Sequence, residues 1–322
     1  MAREMTAQIA CRRRDARDAV PCGRPGVTCT RPCPPSNDRV QSRLEPDRLL
    51  ETARAAAGDA VDVHRAHLGE VGAEQWSEKG VADFVTWVDR EAEERIVARI
   101  RSVFPDHAVL AEEAATADGA RAAAVPREGW VWIIDPLDGT TNFLHRYPMY
   151  AASVAVAFAG ELRAGAVING ASGEEWWAVR HGGAFRNGER VFVSAIDHLP
   201  HALIGTGFPF KTIHVLPRYL RQFERLLRGS AGIRRAGAAA LDLCHVASGW
   251  FDGFWELSLA PWDVAAGALI VREAGGVITR ADGDPDVLGS GSIVAGNPAI
   301  HRALLERVAD AAEPEIRTGR ST

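Results

Sequence analysis

The chain of 322 residues contains 47% hydrophobic and 25% charged residues, the composition of an ordinary globular protein. This composition excludes a collagen-like or mainly disordered chain, and no segment reaches the roughly 18–20 uninterrupted apolar residues of a membrane span. No apolar segment follows the N-terminal charges, which argues against a secretory signal. The formal net charge of −5 argues against nucleic acid as the main partner.

Residues 1–45 differ in composition from the rest of the chain. They contain nine Arg and five acidic residues, a formal charge of +4 that leaves −9 for the remainder. They also contain four of the five cysteines, but the absence of a CxxC pair and of a nearby histidine argues against a zinc site. We therefore predict a disordered extension rich in Arg and Pro. The one cysteine of the body, Cys244, indicates a reducing, cytoplasmic environment.

The first half of the body contains two predicted helices and a series of strands. Apolar residues recur every three or four positions at 46–68 and 89–104, which predicts helices. Segments typical of strands lie at 84–88, 109–110, 130–134, 149–158, 162–168, 175–180 and 184–195. The run Trp130–Ile134 is entirely apolar, as in strands that are buried on both faces. Asn187-Gly188 predicts a two-residue hairpin turn.

The second half alternates strands and helices. Strands are predicted at 203–207, 233–236, 251–257, 277–280 and 292–295, and helices at 216–227, 239–249, 262–274 and after Pro298. The two patterns together predict a mixed α/β sandwich. We divide the body into an α+β subdomain (46–200) that contains most of the candidate ligands, an α/β subdomain (201–314) and a tail (315–322).

Five carboxylates fall at the predicted ends of strands or starts of helices: Asp89, Glu112, Asp135, Asp138 and Asp263. The most specific pattern is the segment DPLDGTT at 135–141, directly after a buried strand. Its proline restricts the turn, and its glycine allows the backbone to approach an anion closely. Two carboxylates three residues apart on such a turn provide the hard oxygen ligands that Mg²⁺ prefers.

Each of these acidic residues also has an ordinary structural interpretation. Asp89 and Asp263 stand where helix N-caps are expected, and Glu112 with Glu113 is typical of a solvated pair. Asp138 before a glycine is typical of a turn. Taken one at a time, these residues leave both interpretations open, and it is their joint arrangement that matches a family pattern.

The sequence resembles the inositol monophosphatase family of lithium-sensitive, Mg²⁺-dependent phosphatases. The matching segments are KG at 79–80, DFVT at 83–86 with Asp89, EE at 112–113, WIIDPLDGTTNF at 132–143, PWDVAAG at 261–267 and EAGG at 273–276; GTGFPFK at 205–211 resembles the bacterial branch. The likeness extends over residues 46–310. It implies a layered αβαβα sandwich of the inositol monophosphatase and fructose-1,6-bisphosphatase type.

The resemblance implies two to three Mg²⁺ ions in each active site. Their ligands would be Glu112, Asp135, the Leu137 carbonyl, Asp138, Asp263 and, for a weaker third ion, Glu112 with Asp89. Thr140 with Glu112 would position and deprotonate the attacking water, and Asp89 belongs to the same catalytic set. The Gly139 and Thr140 amides, with Lys79, would bind the phosphate.

The resemblance also implies a polyol pocket formed by Glu256, Asp263 and the segment Gly237-Ala238-Ala239. Ala238 stands where some relatives have Thr, which removes one hydrogen bond. An ionised Glu256 and a body charge of −9 favour a neutral polyol over a second phosphate. Lys211 is interpreted as a surface lysine.

These roles imply a cytoplasmic, homodimeric Mg²⁺-dependent phosphomonoesterase that hydrolyses inositol 1-phosphate, with no membrane partner. Histidinol phosphate and fructose 1,6-bisphosphate are alternative substrates. A different class of function is a regulatory partner of RNA polymerase, because some bacterial relatives take part in transcription antitermination. The complete set of ligands favours catalysis, whereas the surface patch that a binding role needs is not visible in the sequence.

Overall fold

The structure is a computed structural model that describes residues 37–71, 77–80, 83–117, 124–289 and 291–309. Side chains are described for residues 46–71, 86–115, 124–289 and 291–309. The chain divides into a unit of residues 1–42 and a unit of residues 43–322, and the second unit contains the sheets, the cores and the site. Most of the predicted extension at 1–45, and the predicted tail at 315–322, lie outside the described residues.

Helices and strands alternate through the described part of the chain. The helices are α1 (Asn37–His67), α2 (Trp87–Val103), α3 (Glu112–Ala117), α4 (Thr140–Leu144), α5 (Leu216–Leu227), α6 (Ala239–Ala247), α7 (Pro261–Glu273) and α8 (Pro298–Val308). The strands are β1 (Ser77–Gly80), β2 (Asp83–Val85), β3 (Ala108–Ala111), β4 (Trp130–Asp138), β5 (Ala151–Phe158), β6 (Glu161–Asn169), β7 (Glu175–Val179), β8 (Gly183–Arg186), β9 (Glu189–Arg190), β10 (Leu203–Thr206), β11 (Gly232–Arg234), β12 (Gly253–Leu259), β13 (Val277–Arg280) and β14 (Gly291–Gly296).

Two large sheets form the frame of the molecule. The seven-stranded sheet has the order β3-β4-β5-β6-β7-β8-β9, in which β3 and β4 are parallel and the other pairs are antiparallel. The five-stranded sheet has the order β11-β10-β12-β14-β13, with β10 parallel to both of its neighbours. The strands β1 and β2 form a separate antiparallel pair.

Three apolar cores hold five layers of helices and sheets together. Helices α1 and α2 pack on one face of the seven-stranded sheet, around Trp132. Helices α6 and α7 lie between the two sheets, in a core that contains Ile133 and Phe254, and α5 and α8 pack around Trp255 on the outer face of the second sheet. Because successive strand residues point to opposite faces, neighbours such as Trp132 and Ile133 join different cores. The predicted αβαβα sandwich is confirmed.

Two local predictions had different outcomes. Helix α1 begins at Asn37 and contains Pro46, whereas the sequence pattern placed its start at Pro46 because proline favours the first turn of a helix. The hairpin at Asn187-Gly188 is confirmed, since both residues have a positive φ and Arg186 pairs with Glu189 across the turn.

The strand β4 is interrupted at its C-terminal end, and this irregularity shapes the site. Its register with β5 shifts between Asp135 and Asp138, so Pro136 and Leu137 have no regular ladder partners. Side chains supply the missing bonds: Leu137 N donates to Asp135 Oδ1 at 3.0 Å, and the Thr140 hydroxyl lies 3.1 Å from the Leu137 carbonyl. Side chains within the same segment, those of Asp135 and Thr140, therefore stabilise this bulge.

His64 completes the support of the bulge from helix α1. Its Nε2 lies 2.8 Å from the Pro136 carbonyl, and its ring packs against Phe143 and Tyr150. A carbonyl only accepts, so Nε2 carries the hydrogen. The imidazole is completely buried, which lowers the pKa of His64 from 6.5 to about 4, because burial disfavours the charged form.

We predict that His64→Gln makes the protein less sensitive to acid. Unfolded His64 takes up a proton below pH 6.5 whereas the folded form does so only near pH 4, so this residue lowers the free energy of unfolding as pH falls between these values. Glutamine keeps an amide donor for Pro136 but does not titrate. Urea denaturation should be carried out at pH 7, 6, 5 and 4.5. Between pH 7 and 4.5 the free energy of unfolding of wild type should fall by up to about 3 kcal/mol more than that of the variant.

The matched control is His198→Gln, at a position where the imidazole is exposed. This variant should follow the wild-type pH dependence. Parallel stability curves for wild type and His64→Gln would contradict the proposed role of the buried imidazole.

Candidate active site

A cavity of about 310 Å³ lies at the C-terminal end of β4, next to α4, the start of α7 and the segment after β10. This volume is within the range of small-ligand pockets. Its acidic lining residues are Glu112, Asp135, Asp138, Glu256 and Asp263. The structure therefore brings together five predicted site residues from α3, β4, β12 and α7, although they are distant in sequence.

A backbone amide holds one oxygen of each of three carboxylates. These bonds join Leu137 N to Asp135 Oδ1 (3.0 Å), Ala240 N to Asp138 Oδ2 (2.8 Å) and Ala260 N to Asp263 Oδ2 (2.7 Å). Hydrogen bonds to charged acceptors are stronger than neutral ones and fix the orientation of the side chain. The bond from Ala240 also connects β4 of the first sheet to the start of α6.

The predicted capping role of two aspartates needs correction. Asp89 and Asp263 were expected at the N-cap position, but each occupies the third residue of its helix, and the caps are Thr86 and Ala260. Each carboxylate accepts the amide hydrogen of its cap residue, at 2.8 Å for Asp89 and 2.7 Å for Asp263. A carboxylate at this position can cap the helix from inside, as in a capping box, and sequence spacing alone does not distinguish the two positions.

Asp89 lies behind the cavity and supports Thr140. Its Oδ2 accepts from the amide and the hydroxyl of Thr86, and its Oδ1 lies 3.0 Å from the Thr140 hydroxyl. The carboxylate is buried and is not among the groups that line the cavity. Its role as a metal ligand stays a prediction.

The carboxylates raise one another's pKa. Burial, followed by the charge of Asp263, raises the pKa of Asp138 to about 8. Burial and the charge of Glu112 raise the pKa of Asp135 well above its usual value. The positive charge of Lys211 acts in the opposite direction on Asp135 but is a smaller influence. The cavity thus concentrates more negative charge than its protein cations offset, which favours binding of a cation.

Glu256 behaves in the same way. Burial and then Asp263 raise its pKa to about 8 in the metal-free protein, which disfavours the charged form that the sequence analysis assumed. Local sequence does not reveal this effect, because the neighbouring acidic side chains are supplied by distant parts of the chain.

The donor set fits Mg²⁺, since Asp135, Asp138, Asp263 and Glu112 all provide hard oxygen atoms toward one cavity. As they stand, no three His, Cys, Asp or Glu side chains within the described ranges are arranged to enclose a metal ion.

Gly139 is required by the backbone of the turn. Its φ is +86°, and a Cβ at this position would lie 2.8 Å from the Met149 carbonyl oxygen. A larger residue would displace the start of α4, whose first amides have no acceptor within the helix. The predicted contact of Gly139 and Thr140 with phosphate is consistent with their place on the cavity wall.

The remaining predicted binding residues divide into three cases. Gly237 and Ala239 line the cavity. Ala238 is buried instead, and its Cβ is 3.3 Å from where a Cβ on Gly139 would lie. Lys79 belongs to β1, but its side chain is outside the described part of the structure.

Sequence reasoning missed the residues that line the rest of the cavity. The Arg235 guanidinium lies 5.1 Å from the Phe208 ring centroid and 5.2 Å from that of Phe210. Lys211, interpreted as a surface residue, is exposed but also lines the cavity. Asn142 connects α4 to the segment before α6 through hydrogen bonds to Met149 O and Ala236 O. The only local sequence signal for Arg235 as a site residue was its place, next to another arginine and shortly before the segment 237–239.

The chain belongs to the inositol monophosphatase family, whose family model matches residues 45–317. It is 42% identical over 271 residues to the Nus factor SuhB of Pseudomonas aeruginosa, covering 84% of this chain and 98% of that protein. It is 46% identical over 238 residues to an inositol-1-monophosphatase of Rhizobium meliloti, covering 74% and 87%.

A solved structure shares the fold. The crystal structure of the extragenic suppressor protein suhB from Bartonella henselae has a TM-score of 0.74 and 38% identity, covering 81% of this chain and 98% of that one. The family and these relatives support a phosphatase activity. Within the described segments, no helix is long and apolar enough to cross a membrane.

We predict that Asp138→Asn stabilises the metal-free protein at alkaline pH. The unfolded carboxyl group ionises near pH 3.8 but the folded one only near pH 8, so wild type loses stability as pH rises between these values, whereas asparagine stays neutral and still accepts from Ala240. In EDTA at pH 8.5 the Tm of Asp138→Asn should exceed that of wild type by about 3–8 °C. At pH 5, where the folded carboxyl is protonated, the difference should shrink.

Asp286→Asn serves as the control for this comparison. Asp286 forms an exposed ion pair with Arg127 at 2.7 Å, so its loss should change the Tm by only about 1–2 °C. A lower Tm for Asp138→Asn than for wild type at pH 8.5 would show that charge repulsion does not destabilise the site.

Proposed function

We propose that this protein is a Mg²⁺-dependent phosphomonoesterase that hydrolyses inositol 1-phosphate to inositol and phosphate. The proposal is supported chiefly by one observation, the shared cavity of four candidate metal ligands, Thr140 and Glu256. The name inositol-1-monophosphatase of the relative from Rhizobium meliloti agrees with this substrate. We also infer a cytoplasmic, lithium-sensitive homodimer, as the family resemblance implies.

The Mg²⁺ ions would be held by Glu112, Asp135, Asp138, Asp263 and the Leu137 carbonyl. Bound there, they would offset the charge of the phosphate ester and lower the pKa of a water molecule. The acidic cavity suits this role, because without cations it would repel a phosphate dianion.

The protein's own groups orient the reactants. The Thr140 hydroxyl has a single hydrogen, which it donates to Asp89 or to the Leu137 carbonyl. The lone pairs of its oxygen then remain available to accept a hydrogen bond from the attacking water. Glu112, on the same cavity wall, would accept the water's proton, and the first amides of α4 would bind phosphate oxygens.

The polyol would be recognised by Glu256 and by the neighbouring wall. The two oxygens of its carboxyl group can accept hydrogen bonds from vicinal hydroxyls. Gly237 and Ala239 add small side chains and accessible backbone on the same wall, so that a ring-sized group can approach.

We predict that Asp135→Asn abolishes turnover while the fold persists. Asp135 lies at the centre of the acidic set, and its charge would contribute to more than one Mg²⁺ site. The kcat should fall by at least ~10³-fold, about 4 kcal/mol of transition-state stabilisation. Activity should be measured at saturating Mg²⁺, with circular dichroism as the test of folding. A variant that keeps more than a tenth of wild-type turnover would exclude the proposed metal-dependent chemistry.

We predict that Glu256→Gln affects recognition and not the chemical step. Hydrogen bonds to a shielded carboxyl contribute about 1.5–3 kcal/mol, so the KM for inositol 1-phosphate should rise ~10-fold or more. The kcat for nitrophenyl phosphate, which has no polyol, should stay within about twofold. Equal losses on both substrates would place Glu256 in the catalytic machinery, and no loss on either would remove the main support for inositol.

A panel of phosphate monoesters tests the substrate directly. Inositol 1-phosphate, histidinol phosphate and fructose 1,6-bisphosphate should be compared by kcat/KM with Mg²⁺ present. The proposal expects inositol 1-phosphate to have the highest value. A higher value for either of the other two would assign the protein to the corresponding alternative.

The relatives named Nus factor SuhB support a second candidate, a partner of RNA polymerase in transcription antitermination. Such a role would depend on the protein surface and not on the cavity. Purified RNA polymerase should then bind Asp135→Asn as tightly as wild type. Absence of binding by both proteins in an ultracentrifugation assay would exclude this candidate.

A further inference from the structure

Gly207, the residue after β10, has no backbone reason to be glycine. It is not among the described residues with a positive φ, so an alanine would fit its backbone conformation. The parallel pairing of β10 with β12 aligns Thr206 with Trp255, which places the next residues of the two strands, Gly207 and Glu256, side by side. We therefore attribute the presence of glycine at position 207 to its neighbour Glu256.

The carboxyl group of Glu256 occupies the space that a side chain at 207 would need. A Cβ on Gly207 would lie 2.0 Å from Oε1, 2.1 Å from Cδ and 2.2 Å from Oε2 of Glu256. All three atoms of the carboxyl group thus pack directly against the Gly207 backbone. Glu256 lines the cavity whereas Gly207 does not, so the glycine lies behind the carboxyl group as seen from the cavity.

We propose that Gly207 is a positioning residue for substrate specificity, because its missing side chain lets the Glu256 carboxyl group lie back and leaves the cavity wide enough for a cyclic polyol. This inference rests on the proposed function. A methyl group at 207 would push the carboxyl group forward by roughly 1 Å or more, since non-bonded carbon contacts are normally about 3.5–4.0 Å. The displaced atoms are the flexible end of a side chain, so the fold tolerates the change better than the cavity does.

Two cations also act on Glu256. Arg235 and Lys211 both lower its pKa through their charges, but burial and Asp263 have the larger effects. The Arg235 guanidinium lies over the rings of Phe208 and Phe210. The overlap of the carboxyl group with a Cβ at position 207 is a separate, steric constraint.

The test is the variant Gly207→Ala, assayed with three substrates. The KM for inositol 1-phosphate should rise about 10-fold, comparable to the loss of one hydrogen bond. The kcat for nitrophenyl phosphate should stay within about twofold. The kcat/KM for glycerol 2-phosphate, a smaller and acyclic polyol ester, should fall less than that for inositol 1-phosphate.

The matched control is Gly232→Ala, in the edge strand β11 of the same sheet. A Cβ there would meet Arg234 and Leu203 at ordinary distances of 3.4 and 3.5 Å. This variant should resemble wild type with all three substrates. The proposal is overturned if Gly207→Ala also resembles wild type, or if it lowers kcat/KM equally for all three substrates.

A double-mutant cycle shows whether Gly207 acts through Glu256. Glu256→Ala removes the carboxyl group, so adding Gly207→Ala to it should change the KM no further. The proposal would be overturned if the KM of the double variant rose by the product of the two single-variant factors. If Gly207→Ala alone does not fold, the double variant should restore folding, and failure to restore it would exclude Glu256 as the colliding group.

This cycle separates the inference from the proposed function. If another polyol phosphate proves to be the better substrate, the proposed function fails. The cycle is then run on that substrate, where non-additivity still supports the positioning role of Gly207.

Discussion

Repulsion among the carboxylates of one cavity is the constraint on which the arrangement of this protein depends. Burial alone would favour neutral acids, and each added neighbour raises the pKa of Asp135, Asp138 and Glu256 further. The fold keeps these groups close by giving one oxygen of three aspartates a backbone amide partner. The same repulsion among carboxylates that opposes assembly of the site in the free protein gives the cavity its preference for cations.

The irregular end of β4 is the structural answer to that constraint. A regular strand would point Asp135 and Asp138 to opposite faces of the sheet, because they are three residues apart. The bulge at Pro136-Leu137 allows both to line one cavity, and His64 on a distant helix binds the carbonyl that the bulge leaves without a ladder partner. The packing of α1 is therefore coupled to the geometry of the site.

The family resemblance, carried by local motifs, predicted the layered fold, and five of the acidic residues it singled out line one cavity. A continuous apolar run identified β4, and DPLDGTT identified the turn after it. Features that depend on contacts between distant segments could not be predicted: the contact of His64 with Pro136, the stacking of Arg235 on Phe208, and the raised pKa of Glu256. Helix α1 was misplaced at its start for a different reason, since proline inside a helix is rare enough to be taken as its beginning.

The division of the cavity between two sheets has a consequence for how the family can diversify. Asp135, Asp138 and Thr140 belong to the end of β4 and to α4, whereas Glu256 lies on β12 of the other sheet and Gly207 directly follows the adjacent strand β10. If the proposed function holds, substitutions near Gly207 and Glu256 would alter the shape offered to the alcohol part of an ester and leave Asp135, Asp138 and Thr140 in place. A change of substrate would then need few substitutions, because the groups proposed for hydrolysis belong to the other sheet.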